Sequence, residues 1–123
     1  MIARNVSKLN SWFEEQVAQC ERRGSELLTD DRADEAMFEK VRANVYGIFR
    51  TVLDVAVKSS GGDSESVRSF FVKRAEVIPS GWAASYKKAA EHGDTVKMQI
   101  ERIKLDTIDE IKEYFAKVWE EAE

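Results

Sequence analysis

The chain has 123 residues, the size of one domain, and we expect residues 1–123 to fold as a single helical-bundle domain. Its 19 basic and 23 acidic residues give a formal net charge of −4, so it lacks the basic excess that non-specific nucleic-acid binding requires. No apolar run approaches the ~20 residues that span a bilayer, and the N-terminal residues lack the apolar region of a secretory signal. We therefore expect a cytoplasmic protein with no membrane partner.

Three turn signals divide the chain into four arms of nearly equal length. They are Thr29-Asp30-Asp31, Gly61-Gly62-Asp63 and Gly93-Asp94, and each ends in an aspartate that can cap the helix that follows. An arm of about 28 residues would form a helix roughly 40 Å long. Equal helices joined by tight turns are typical of an antiparallel up-and-down bundle.

The first arm, from about Ile2 to Leu28, predicts one amphipathic helix. Its apolar residues recur every three or four positions and so share one side of a helix: Ile2, Val6, Leu9, Phe13, Val17, Cys20 and Leu27. Gly24 lies on the same side. It either allows a neighbouring helix to approach closely or marks the end of the helix near Arg23.

The second arm, from about Asp31 to Ser59, carries the most regular helical pattern, and Asp30 or Asp31 is expected to cap it. The apolar side consists of Phe38, Val41, Val45, Ile48, Val52 and Val55, widened by Phe49, Leu53 and Ala56. Because β-branched residues lower helix propensity, packing must hold this arm helical.

The third arm, from about Ser64 to His92, contains the only proline, Pro79. Proline cannot donate to the helical hydrogen-bond ladder and disfavours helix at the residue before it. The arm is therefore either two short helices, the second capped by Ser80, or one helix with a sharp kink, and we predict the break at Pro79.

The fourth arm begins at Asp94 and has neither glycine nor proline after it, so it predicts one long helix. The expected apolar side holds Val96, Ile100, Ile103, Ile111, Tyr114 and Val118, with Ile108, Phe115 and Trp119 beside it. Met98 and Leu105 fall on the opposite side.

The predicted fold class is all-α: an antiparallel up-and-down four-helix bundle with its third arm broken at Pro79, hence five helices by count. We expect the core to hold Phe13, Val17, Val41, Val45, Ile48, Val52, Phe70, Ile100, Ile103, Ile111 and Phe115.

The pattern of reactive residues predicts no enzyme, no metal site and no cofactor. A di-iron bundle needs Glu-x-x-His on two helices, and a zinc site needs several Cys or His ligands. The chain has one histidine, His92, and one cysteine, Cys20. We expect His92 to close a helix before Gly93 and Cys20 to lie in the core.

Three cations interrupt the apolar sides of the predicted helices: Arg74, Arg42 and Lys104. No acidic residue is expected equally deep inside the core to pair with them. Either their aliphatic stems cover the edge of the core while their charges reach water, or they line a pocket for a small anionic ligand beside Trp82.

The apolar surface exceeds what one core requires, and this excess favours an interface. It comprises Met98, Leu105, Trp119 and Trp12. We therefore expect a non-enzymatic interaction module that acts by self-association or by docking a partner protein, with a homodimer through the fourth arm preferred. A small anionic-ligand-binding bundle is the alternative. A DNA-binding helix-turn-helix at Val67–Ile78 and Ser80–Glu91 is conceivable but disfavoured by the acidic charge.

Overall fold

In a computed structural model, which describes residues 2–121, the chain forms four α-helices and no strand within that range. The helices are α1 (Ile2–Thr29), α2 (Ala33–Ser60), α3 (Ser64–Glu91) and α4 (Thr95–Glu121). Three have 28 residues and α4 has 27. The predicted all-α four-helix bundle with arms of equal length is confirmed.

The predicted break at Pro79 is wrong, and with it the count of five helices. α3 runs unbroken from Ser64 to Glu91, with Pro79 buried inside it. The missing N–H removes one helical hydrogen bond, at the carbonyl of Ala75. Phe71, Ala75 and Pro79 follow one another at intervals of four residues on the buried side, so a continuous helix keeps all three in the core. Ser80 caps no new helix, since its hydroxyl donates to the carbonyl of Val77 at 2.6 Å.

Two of the three predicted aspartate caps are confirmed. Asp63 accepts from the amide of Ser66 at 3.0 Å, and Asp94 accepts from the amide of Lys97 at 3.1 Å. Both carboxylates satisfy amide donors that the first helical turn leaves free.

The prediction that Asp30 or Asp31 caps α2 is wrong. Asp31 has a left-handed backbone, φ 59°, and closes α1 instead: the amide of Arg32 donates to the carbonyl of Leu27 at 2.8 Å. Arg32 then precedes α2 without a side-chain cap bond. Gly93, at φ 68°, closes α3 in the same way, as predicted.

The helices pack as two hairpins, α1 with α2 and α3 with α4, and α2 also contacts both helices of the second hairpin. α1 packs chiefly on α2 and only lightly on α4. Stacked aromatic rings join the helices of the second hairpin: the centroids of Phe71 and Phe115 lie 4.1 Å apart. The ring of Phe49 on α2 meets Phe71 edge-on at 5.9 Å.

The core matches the predicted one only in part. Five predicted members are buried: Phe13, Val45, Val52, Ile111 and Phe115. Five others are only half-buried: Val17, Val41, Phe70, Ile100 and Ile103. Ile48 is 40% exposed, because the buried side of α2 is centred on Phe49 and Leu53 rather than on the predicted row.

Candidate functional site

Two buried carboxylates hold the cations that the sequence singled out on α2 and α4. Glu39 is 7% exposed, and it accepts from Arg23 Nε at 2.7 Å through one oxygen and from Arg42 through the other. Glu101 is 5% exposed and accepts from Lys104 Nζ at 3.2 Å. The expectation that no acid lies deep enough to pair with these cations is therefore wrong.

The spacing of these ion pairs could have revealed them. In both, the acid precedes the cation by three residues, which places the two side chains on one side of a helix. Since Glu39 and Glu101 are each the seventh residue of helices that run in the same direction, they lie at the same level of the bundle. Among residues 2–121, no group of three or more His, Cys, Asp and Glu side chains is arranged to hold a metal ion.

The four predicted ligand-binding residues are only partly brought together. Lys104 Nζ lies 5.8 Å from the centroid of the Trp82 ring, so these two share a site. Arg42 is held by Glu39 on α2. Arg74 is exposed, with its guanidinium carbon 4.9 Å above the ring of Phe70. Two of the three predicted cations, Arg42 and Lys104, thus already form ion pairs within the chain.

The four predicted interface residues do not form one outer surface. Trp119 is buried, and its ring stacks on Phe115 at 4.7 Å. Trp12 is half-buried and stacks on Tyr114 of α4 at 4.3 Å. Met98 and Leu105 are half-buried on α4.

Four apolar and two polar residues of α2 form a regular row, which we call the α2 outer stripe. It consists of Met37, Val41, Asn44, Ile48, Thr51 and Val55, of which only Val41 is half-buried and the others are exposed. The steps of four and three residues place all six on one side of the helix. Such spacing is typical of the seam along which two helices pack.

The stripe faces away from α1. On the opposite side of α2, Glu39 binds Arg23 of α1, and Arg50 binds Glu14 of α1. Ile48 and Glu39 are nine residues apart, which turns them by about 180° around the helix axis. α1 therefore covers one side of α2 and leaves the outer stripe uncovered.

A second apolar surface lies between α3 and α4. This α3–α4 groove has a volume of about 520 Å³, a floor that includes Phe71, Phe115 and Trp119, and Val72 at its side. Its rim carries both charge signs: Glu65, Arg68, Glu76, Lys112 and Glu120. Since the rim holds three acids and two bases, it offers no excess of positive charge to an anionic ligand.

Burial shifts the titration of two groups between α1, α2 and α4. The phenol of Tyr46 is buried and donates to Glu110 Oε2 at 2.9 Å; burial first, and then this hydrogen bond, raise the pKa of Tyr46 above its ordinary value of 10.0. Burial also raises the pKa of the Cys20 thiol, and the nearby Glu39 carboxylate adds to the effect. A thiol with a raised pKa is a poor nucleophile, in keeping with its predicted place in the core.

These contacts define the class of protein: a four-helix bundle with ion-paired buried carboxylates and one helix whose outer side is apolar and uncovered. Comparisons with protein-family models, with curated protein sequences and with solved structures found no match to this chain. Within residues 2–121, no helix combines the length and apolar character needed to cross a membrane.

Proposed function

We propose that the chain is a non-enzymatic interaction module that packs a further helix against the α2 outer stripe. One observation carries the proposal: an uncovered, largely apolar row with helix-packing spacing runs from Met37 to Val55. At 1.5 Å per residue this row is about 27 Å long, enough for a helix of about five turns.

The composition of the stripe suits a helical partner. Val41, Ile48 and Val55 recur every seven residues, which is the repeat of a seam between two packed helices. Asn44 and Thr51 lie between them and reduce the apolar area that water meets when the surface is uncovered. An interface of this kind can form and dissociate without unfolding of the bundle.

An anionic ligand beside the three cations has less support. Arg42 and Lys104 already pair with buried carboxylates. Opening the Lys104 pair to admit a ligand would leave Glu101 buried without its cation, and opening the Arg42 pair would leave one oxygen of Glu39 unpaired. We therefore favour the interaction module over the ligand-binding bundle.

Binding of labelled amphipathic helical peptides to the full chain, measured by fluorescence anisotropy, tests the proposal. The peptides carry β-branched residues at the spacing of the stripe, and one of them copies residues 33–60. We expect Ile48→Lys to weaken binding at least about tenfold. The matched control is Val72→Lys, because Val72 is 37% exposed against 40% for Ile48 but lines the α3–α4 groove.

Two results would contradict the proposal. One is that no peptide binds and the chain does not self-associate. The other is that Val72→Lys abolishes binding while Ile48→Lys leaves it intact, which would move the interface to the α3–α4 groove.

A further inference from the structure

We infer that the partner of the α2 outer stripe is a second copy of this chain, with the two α2 helices antiparallel. This inference rests on the proposed function and names the partner of the same surface. It follows from the residues that flank the stripe, which complement themselves only when the two helices run in opposite directions.

The flank of the stripe nearer to solvent holds Lys40 and Asp54, which are exposed, and Gly47, which is half-buried. Each lies one position before a β-branched residue of the stripe. Where two antiparallel helices pack, this flank meets the same flank of the other helix. A two-fold axis at Gly47 then places Lys40 opposite Asp54 of the second copy, and Asp54 opposite its Lys40. One symmetry operation therefore creates two equivalent ion pairs between opposite charges.

A parallel arrangement offers no such match. In parallel pairs this flank meets the other flank of the partner helix, which here includes Val45 and Val52. Both valines are uncharged and buried in the core of their own chain, so neither can form an ion pair with Lys40 or Asp54 of the second copy.

Gly47 supplies an independent argument. A glycine inside a helix destabilises it by up to about 1 kcal/mol relative to alanine. A Cβ at Gly47 would meet no described atom beyond its own stretch of helix within 4 Å, so packing within the chain does not require the glycine. In the antiparallel pair, however, Gly47 faces Gly47 of the second copy, where two missing side chains let the backbones approach closely.

The position of Gly47 also sets the overlap. α2 spans Ala33–Ser60, so Gly47 lies at its midpoint, and a two-fold axis there pairs the two helices along their entire length. The contact is closed, because each copy uses the same surface, and it leaves no uncovered stripe for further copies to bind.

Sedimentation of the full chain tests the inference through a charge exchange. We expect wild-type protein to form a dimer as its concentration rises. In a dimer of the Lys40→Glu variant, two negative charges face each other at both contacts between positions 40 and 54. In a dimer of the Asp54→Lys variant, two positive charges do so. Each variant should weaken the dimer by about tenfold or more. An equal mixture of the two variants restores both attractive pairs, so it should dimerise again as a heterodimer. Added salt should strengthen each single variant and weaken the mixture.

The Gly47→Ala variant distinguishes an effect on the dimer interface from an effect on the stability of the monomer. It should raise the thermal stability of the dilute monomer, because alanine favours the helix, and at the same time weaken the dimer several-fold by holding the backbones apart. Thermal unfolding of every variant checks that the bundle is intact, since Asp54 also binds Lys58 at 2.9 Å in the monomer.

A wild-type chain that stays monomeric at several hundred micromolar would overturn the inference, as would a mixture of charge variants that does not dimerise. If such a monomer still bound a different helix in an Ile48-dependent way, the interaction module would stand and only the identity of its partner would be wrong. Failure of both kinds of binding would remove the module as well.

Discussion

Glu101 illustrates how single residues decide stability in this bundle. One of its oxygens binds Lys104, but among the described residues nothing bonds Oε2, although that atom is buried. A buried carboxylate with an unsatisfied oxygen is more costly than an apolar side chain of similar volume.

We therefore expect Glu101→Leu to stabilise the protein by about 1 kcal/mol in urea unfolding. Lys104 would keep its position near the Trp82 ring and its access to water. Glu39→Leu is the matched control. It should destabilise by about 1–2 kcal/mol, because both oxygens of Glu39 accept from arginines. A loss of stability in Glu101→Leu would show that Oε2 has a partner.

Tyr46 makes stability depend on pH in the alkaline range. Because its pKa is raised in the folded state, the neutral phenol stabilises the fold fully below pH 10. That contribution is lost as the pH rises above 10, since the unfolded chain then ionises while the folded one stays protonated.

Tyr46→Phe should remove this loss. At neutral pH it costs about 1 kcal/mol for the hydrogen bond to Glu110. Above pH 10 the free energy of unfolding should fall less steeply with pH in the variant than in wild type, when both are measured by urea unfolding at each pH. Parallel pH profiles for the two proteins would show that Tyr46 does not carry the effect.

At the scale of helices, α3 shows that a proline need not end a helix. The rule that proline breaks a helix concerns one hydrogen bond and one steric contact, which cost about 3 kcal/mol. The buried residues of α3 extend from Val67 to Ala89, on both sides of Pro79. Their packing in the core stabilises the continuous helix and offsets that cost.

Gly81 provides a test of this continuity. It is exposed, two residues beyond Pro79, and a Cβ there would meet no described atom beyond its own stretch of helix within 4 Å. In an unbroken helix Gly81→Ala should stabilise by about 0.5–1 kcal/mol in thermal or urea unfolding. If the arm were broken at this point, the substitution would bring no such gain. The same exchange at Gly93, whose φ is 68°, should destabilise and serves as the control.

The sequence predicts least well which sides of α2 and α4 face the core. The apolar residues of α2 cover a wide arc, so periodicity alone could not choose between Phe49 and Ile48 as its centre. In α4 the charged residues Glu101 and Lys104 lie on the same inward side as Ile108 and Ile111. A pattern of apolar residues alone omits both charged residues and so places the inward side of α4 wrongly. The sequence hides the α2 outer stripe because two of its members, Val41 and Ile48, are predicted to lie in the core and Val55 is predicted to lie on the same apolar side.

At the scale of the whole molecule, Cys20 reports how the bundle opens. It is fully buried between α1 and α2, and its thiol pKa is raised. Reaction with an alkylating reagent therefore requires the two helices to separate.

We expect Cys20 to react only at the rate set by opening of the native bundle, with the rate rising in urea as stability falls. A control protein carries Ser25→Cys together with Cys20→Ala, which moves the thiol to an exposed position on the same helix. Mass spectrometry should find the control labelled at the rate of a free thiol. Equal rates in the two proteins would contradict the burial of Cys20.

The sequence by itself determined the number of arms, their lengths, the turns at Gly61 and Gly93 and the caps at Asp63 and Asp94. These features depend on hydrogen bonds and backbone preferences within a few residues, and a local pattern records them. Only the tertiary structure decided that α3 continues through Pro79, that Glu39 and Glu101 are buried, and that Ile48 faces outward. Those outcomes depend on which sides the other helices cover, because burial is a sum over contacts between residues far apart in the chain.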